Sequence, residues 1–209
     1  MIFFPLVKLR EAGIKDIFIV TGKDHIGEIG KLLGSGKTFG VSLSYLVQDR
    51  PGGIAEAVAL SEPFIHSKER IVVALGDNLF SDSLTGYIKN YERQKSGAKI
   101  LLHKVEDPGR YGVAELRNDK VIRIVEKPKH PKSPNAVTGI YMYDHSVFDM
   151  IKRIRPSPRG EWEISDVNNM YISQNLMTYD YLKGWWLDTG TFASYQKANQ
   201  LLQNATLNI

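Results

Sequence analysis

The chain has 209 residues, enough for one sizeable α/β domain, and its 43% hydrophobic and 24% charged residues exclude disordered and fibrous classes. No apolar run approaches the roughly 18 residues of a membrane span, and residues 1–7 show neither a basic leader nor a cleavage site, so a soluble cytoplasmic protein is expected. Cysteine is absent, which rules out disulfides and thiolate metal sites, and the formal charge of +4 is spread too evenly for a nucleic-acid stripe while suiting small phosphorylated ligands.

Taken in chain order, the apolar pattern alternates between strand and helix. Residues 4–10 read as a short amphipathic helix stopped by Gly13, and residues 15–21 as an apolar strand. A helix over 26–33 ends at Gly34-Ser35-Gly36, and 41–47 alternates as a strand. Residues 54–64 are helical in spacing, 71–75 form a buried strand, and 84–94 a helix with a polar face. Repetition at this pitch predicts parallel strands joined by crossover helices. From residue 98 the pattern changes to strands over 99–105, 112–116 and 120–125, with Asn118-Asp119 as a hairpin signal, then 137–143. Helices over 147–154 and 165–173, a strand over 177–182 and a helix over 192–202 complete the chain. The expected architecture is one α/β domain over 1–209. Its first half (1–97) is Rossmann-like and its sheet mixed but mainly parallel, with an antiparallel elaboration in 98–209.

Several segments carry chemistry. Leu75-Gly76-Asp77-Asn78 ends a buried strand, where open α/β sheets place ligands, and a carboxylate there suits Mg²⁺. The alternative is a turn in which Asp77 caps a helix over 79–89. Trp185-Trp186-Leu187-Asp188-Thr189-Gly190-Thr191 sets a second acid between a short aromatic strand and a helix, with Thr189 or Thr191 as alternative helix caps. Asp77 and Asp188 could share one metal ion, an arrangement suited to phosphoryl chemistry. Gln48 precedes Gly52-Gly53 at the start of a helix, where free backbone amides could meet a phosphate or a base edge. By itself such a glycine pair is most often an ordinary turn, and it lacks the Gly-Lys-[Ser/Thr] of a P-loop. Val125-Glu126-Lys127-Pro128 puts an acceptor beside a cation, fitting a sugar hydroxyl and a phosphate, or it is a strand end stiffened by proline. The five histidines form no metal-binding pair, and no Gly-x-Ser-x-Gly elbow appears.

In this order and spacing the segments resemble the sugar-phosphate nucleotidyltransferases over nearly the whole chain. The resemblance is carried by Ala12-Gly13-Ile14-Lys15-Asp16-Ile17, Leu33-Gly34-Ser35-Gly36, Gln48 with Gly53-Ile54-Ala55, and Leu75-Gly76-Asp77-Asn78. It continues through Arg110-Tyr111-Gly112-Val113, Glu126-Lys127-Pro128, Ala136-Val137-Thr138-Gly139, Arg159-Gly160-Glu161, Glu163-Ile164-Ser165-Asp166 and Leu187-Asp188-Thr189-Gly190-Thr191. It implies Mg²⁺-dependent transfer from dTTP to a sugar 1-phosphate, glucose 1-phosphate being the favoured one, and is compatible with a homo-oligomer. By motif position, Gln48 and Gly53 would read thymine, and Asp77 and Asp188 would hold Mg²⁺. Asn78, Tyr111, Gly112, Glu126, Val137 and Tyr141 would line the sugar pocket, and Lys127 would neutralise the sugar phosphate. The family also carries a first strand and a Gly-rich segment with an arginine and a lysine, whereas this sequence opens directly on a helix. The expectation is therefore the family activity for a complete chain. The alternatives are a non-catalytic sugar-nucleotide-binding or regulatory relative, or an inactive fragment.

Overall fold

The structure, a computed structural model, describes residues 1–202. Helix α1 (Phe3–Glu11) buries Phe4, Leu6, Val7 and Leu9, and the chain turns at Gly13 with φ +90°. Strands β1 (Asp16–Gly22) and β2 (Ser42–Gln48) pair in parallel from Asp16 opposite Ser42 to Gly22 opposite Gln48. Helix α2 (Ile26–Leu33) connects them, so this unit forms as its pattern predicts. The helix expected over 54–64 is divided: α3 spans Ile54–Ala59, and a 3₁₀ turn follows over Glu62–Phe64. Pro63 has no N–H to continue the ladder, which accounts for the break.

Beyond β3 (Arg70–Ala74), a three-residue strand β4 (Asn78–Phe80) precedes α4 (Thr85–Glu92). Next come β5 (Ala98–Lys104), β6 (Gly112–Arg117), β7 (Lys120–Glu126) and the long β8 (Asn135–Asp144). The hairpin between β6 and β7 turns where expected, with Asn118 and Asp119 at φ 50° and 55°. Helices α5 (Ser146–Ile151) and α6 (Ile164–Ser173), strands β9 (Met177–Tyr181) and β10 (Trp186–Asp188), and helix α7 (Phe192–Leu202) follow.

The architecture is the expected α/β one, with a smaller parallel share. Among the described residues, parallel pairing is confined to β1–β2 and β5–β9. The cause is β8, which enters between β3 and β5 and runs opposite to both. On one edge β8 follows β5. On the other it meets β3 beside residues 140–144 and β6 at Ala136. Its side chains alternate between two cores: Tyr141 and Tyr143 lie with Ile100, Leu102 and Val167, and Ile140 and Met142 lie with Leu101, Phe80 and Trp186.

β1 pairs only with β2 and β3 only with β8 among the described residues, so each keeps one free edge. Both edges line a single cavity of about 1080 Å³. It runs from Asp16 and Arg70 at one end to Gln48, Gly76 and Asp188 at the other, between apolar walls that include Ile17, Ile19, Ile71 and Val73.

Candidate active site

The two acids expected to cooperate do meet. The chain leaves β3 through Gly76 and enters β4, so Asp77 lies between two strands and caps no helix. Antiparallel pairing puts Asp188 of β10 opposite Asn78 of β4. The Asp77 carbonyl accepts the Thr189 N–H at 2.9 Å and its hydroxyl at 2.6 Å, tying the two segments together. A Cβ at Gly190 would lie 2.9 Å from Asp188 Oδ1 and 3.9 Å from Asp77 Oδ2, so both carboxylates border one small hollow beside Gly190, whose N–H donates to Asp188 Oδ1 at 2.8 Å. Thr191 serves as the cap of α7, exchanging hydrogen bonds with Ser194, alongside this arrangement.

No group of three or more His, Cys, Asp or Glu side chains among the described residues is placed to hold a metal ion. A carboxylate pair around an open hollow nevertheless fits Mg²⁺, which takes one or two carboxylates and fills its remaining positions with water and substrate phosphate.

Asn78 is buried between these strands and the sheet. Its Oδ1 accepts the Trp186 indole N–H at 2.8 Å, and its Nδ2 donates to Asp77 Oδ1 at 2.9 Å.

Gln48 closes β2 at the mouth of the cavity. Its Nε2 donates to Glu56 Oε2 at 2.6 Å and to the Gly53 carbonyl at 3.2 Å. A carboxylate can only accept, so these contacts fix the amide with Oε1 free to accept from a ligand. Gly53 sits at φ +94°, and a Cβ there would lie 2.6 Å from the Trp162 carbonyl oxygen. Glycine is required at this position by both torsion and space.

At the other side of the mouth, Gly112 of β6 stands opposite Glu126 of β7. A Cβ on Gly112 would lie 3.3 Å from Glu126 Oε2. Glu126 Oε2 accepts the Ser165 hydroxyl at 2.9 Å. Burial pushes the Glu126 carboxyl above the usual carboxylate range, against the lowering effects of the Ser165 hydroxyl, Lys127 and Arg159. Lys127 adopts φ +41°, a left-handed torsion uncommon for lysine, and its N–H donates to the Tyr111 carbonyl at 3.0 Å. Tyr111, Val137 and Tyr141 line the same cavity, and Trp186 packs edge-on against Tyr111 with centroids 5.0 Å apart.

All the residues singled out from sequence therefore border one region, with Asp77 reaching it through the Gly190 hollow. Sequence reasoning assigned no role to Ser165, Glu56, Trp186 or Arg159. Arg159 makes a two-pronged bond to Glu163 at 2.9 and 3.0 Å and lies 3.8 Å from Glu126. Its segment and that of Ser165 were visible as motifs, but nothing local says which side chain faces Glu126.

The model of the Nucleotidyl transferase family matches residues 1–205, and the chain belongs to that family. Among its relatives, glucose-1-phosphate thymidylyltransferase of Neisseria meningitidis serogroup A is 41% identical over 207 residues, covering 97% of this chain and 72% of the relative. The Mycolicibacterium smegmatis protein of the same name is 38% identical over 211 residues, covering 99% and 73%. A solved Bacillus anthracis structure, assigned to the same activity and holding sucrose, superposes with a TM-score of 0.94 at 50% identity. It covers 100% of this chain and 84% of its own. No helix among the described residues is long and apolar enough to cross a membrane.

Proposed function

We propose that the site takes dTTP and glucose 1-phosphate and forms dTDP-glucose and pyrophosphate. A phosphate oxygen of the sugar 1-phosphate attacks the α-phosphorus of dTTP, one P–O bond forms, and the bond to pyrophosphate breaks. The observation that carries this reading is the convergence of Asp77 and Asp188 on the Gly190 hollow, at the mouth of the cavity that Gln48 and Glu126 also line. The names of the relatives support the choice of nucleotide and sugar.

Asp77 and Asp188 would hold Mg²⁺, which when bound neutralises charge on the reacting phosphates. Gln48 Oε1 accepts the imide N–H of thymine, an edge that purines do not offer in the same form. Glu126 accepts sugar hydroxyls, held in place by Ser165, and Lys127 offsets the charge of the sugar phosphate. The protein forms no covalent bond to substrate in this scheme. Its contribution is alignment and electrostatic stabilisation.

The test is Mg²⁺-dependent pyrophosphate release from dTTP and glucose 1-phosphate, run beside UTP, ATP and GTP. Turnover with dTTP, some with UTP and none with purines is expected, and a purine as best substrate would overturn the reading. One observation favours a binding role without turnover: the Arg159 guanidinium is engaged by Glu163, which ties up a cation lining the cavity. Calorimetric binding of both ligands with no pyrophosphate release would select that second reading.

A further inference from the structure

Trp186 lies beside the carboxylate pair and makes no hydrogen bond to either acid. Its indole N–H and the Gly139 backbone N–H, the latter at 3.3 Å, both donate to Asn78 Oδ1. Neither donor can act as an acceptor, so together they decide which end of the amide is oxygen. The amide nitrogen faces the other way and donates to Asp77 Oδ1. Asn78 is 1% exposed and packs where a Cβ on Gly139 would lie 2.8 Å from its Cγ, so its amide is enclosed and its orientation is set by these hydrogen bonds. With Oδ1 engaged, Asp77 presents Oδ2 towards the hollow it shares with Asp188.

We propose that Trp186 is a positioning residue: acting through Asn78, it sets the orientation of Asp77 and thereby the affinity of the carboxylate pair for a divalent cation. The inference rests on reading Asp77 and Asp188 as cation ligands. Packing against Tyr111 accounts for an aromatic ring at position 186 but not for an N–H aimed at Asn78, since phenylalanine would pack as well. Strand β10 thus carries one ligand, Asp188, and two residues earlier the donor that orients the other. Side chains that orient metal ligands in this way are worth about 10- to 100-fold in metal affinity.

The experiment titrates the full chain with Mn²⁺ alone, followed by electron paramagnetic resonance, in wild type, Trp186→Phe and Asp188→Asn. Expected are binding by wild type, its loss in Asp188→Asn, and weakening by about 10- to 100-fold in Trp186→Phe under conditions where circular dichroism shows it folded. A purely structural role would lower the melting temperature of Trp186→Phe and leave Mn²⁺ affinity within twofold of wild type, which overturns the proposal alone. Wild type and Asp188→Asn behaving alike would instead bring down the cation reading and this proposal with it. If Trp186→Phe does not fold, ¹⁵N-labelled wild type decides. The Trp186 indole N–H resonance should move on Mg²⁺ addition and stay fixed in Asp188→Asn, and a resonance unmoved in wild type overturns the proposal.

Discussion

The two ends of the site mouth handle their carboxylates in opposite ways. Asp77 and Asp188 flank an open hollow beside Gly190, and the strands that hold them are joined through backbone and amide contacts. Glu126 is partly buried beside Ser165, with its carboxyl shifted upward by desolvation. The first arrangement keeps negative charge available to a cation. The second holds a single acceptor in a partly desolvated place, where a hydrogen bond to the proposed sugar hydroxyl would count for more than it does in bulk water. Residue type is nearly the same at both ends, and surroundings decide the role.

The largest effect is expected at the open end. Asp188→Asn should lower Mg²⁺-dependent turnover by about 10³-fold, since metal stabilisation of phosphoryl charge is worth several kcal/mol. Glucose 1-phosphate affinity, read by calorimetry, should stay within about twofold. Turnover that survives this substitution would remove the contrast between the ends.

Glu126→Ala reverses the pattern. Loss of hydrogen bonds from a charged acceptor, at about 1.5–3 kcal/mol, should weaken glucose 1-phosphate binding by about 10- to 100-fold. Ser165→Ala removes one donor to that carboxylate, for an expected loss of about fivefold, near 1 kcal/mol. It should also move the pH dependence of binding upward, because the Ser165 hydroxyl is a lowering influence on Glu126.

The pH dependence has a definite sign. Burial raises the folded-state value of Glu126 above its unfolded one. Its contribution to stability is therefore fully present below the unfolded value and fades as pH rises through the folded value. Under the proposed function sugar binding should run the other way, because the ionised carboxylate would be the acceptor. Affinity should fall on acidification with a midpoint above the ordinary carboxylate range, and Glu126→Gln should flatten that profile. The smallest effect concerns the base: dTTP and dUTP differ by one methyl, about 0.8 kcal/mol when buried, so roughly a fourfold preference for dTTP over dUTP in kcat/KM is expected.

Local pattern was enough where an element answers to its own residues. The apolar run 71–75 and the alternation over 41–47 become β3 and β2, and Asn118-Asp119 turns the hairpin as its torsional tolerance requires. It was not enough where distant partners decide. β4 is three residues long and exists because β10, 108 positions away from Asn78 to Trp186, pairs with it. The direction of β8 relative to β3 likewise has no local signature. The same division holds at the site. Acids at strand ends are visible one by one, but the Ser165 contact to Glu126 spans 39 positions and requires the turn of α6 to bring it there.

The free edges of β1 and β3 have a further consequence for solvent exchange and for self-association. A strand paired on both sides, such as β5 between β8 and β9, has its amides locked in ladders. On β1 and β3 the amides directed to the cavity side have no ladder partner among the described residues. Deuterium should therefore enter alternate amides of these two strands far faster than those of β5. Two rows of main-chain donors and acceptors without a ladder partner among the described residues, set between apolar walls, are also a template for any extended chain that reaches them.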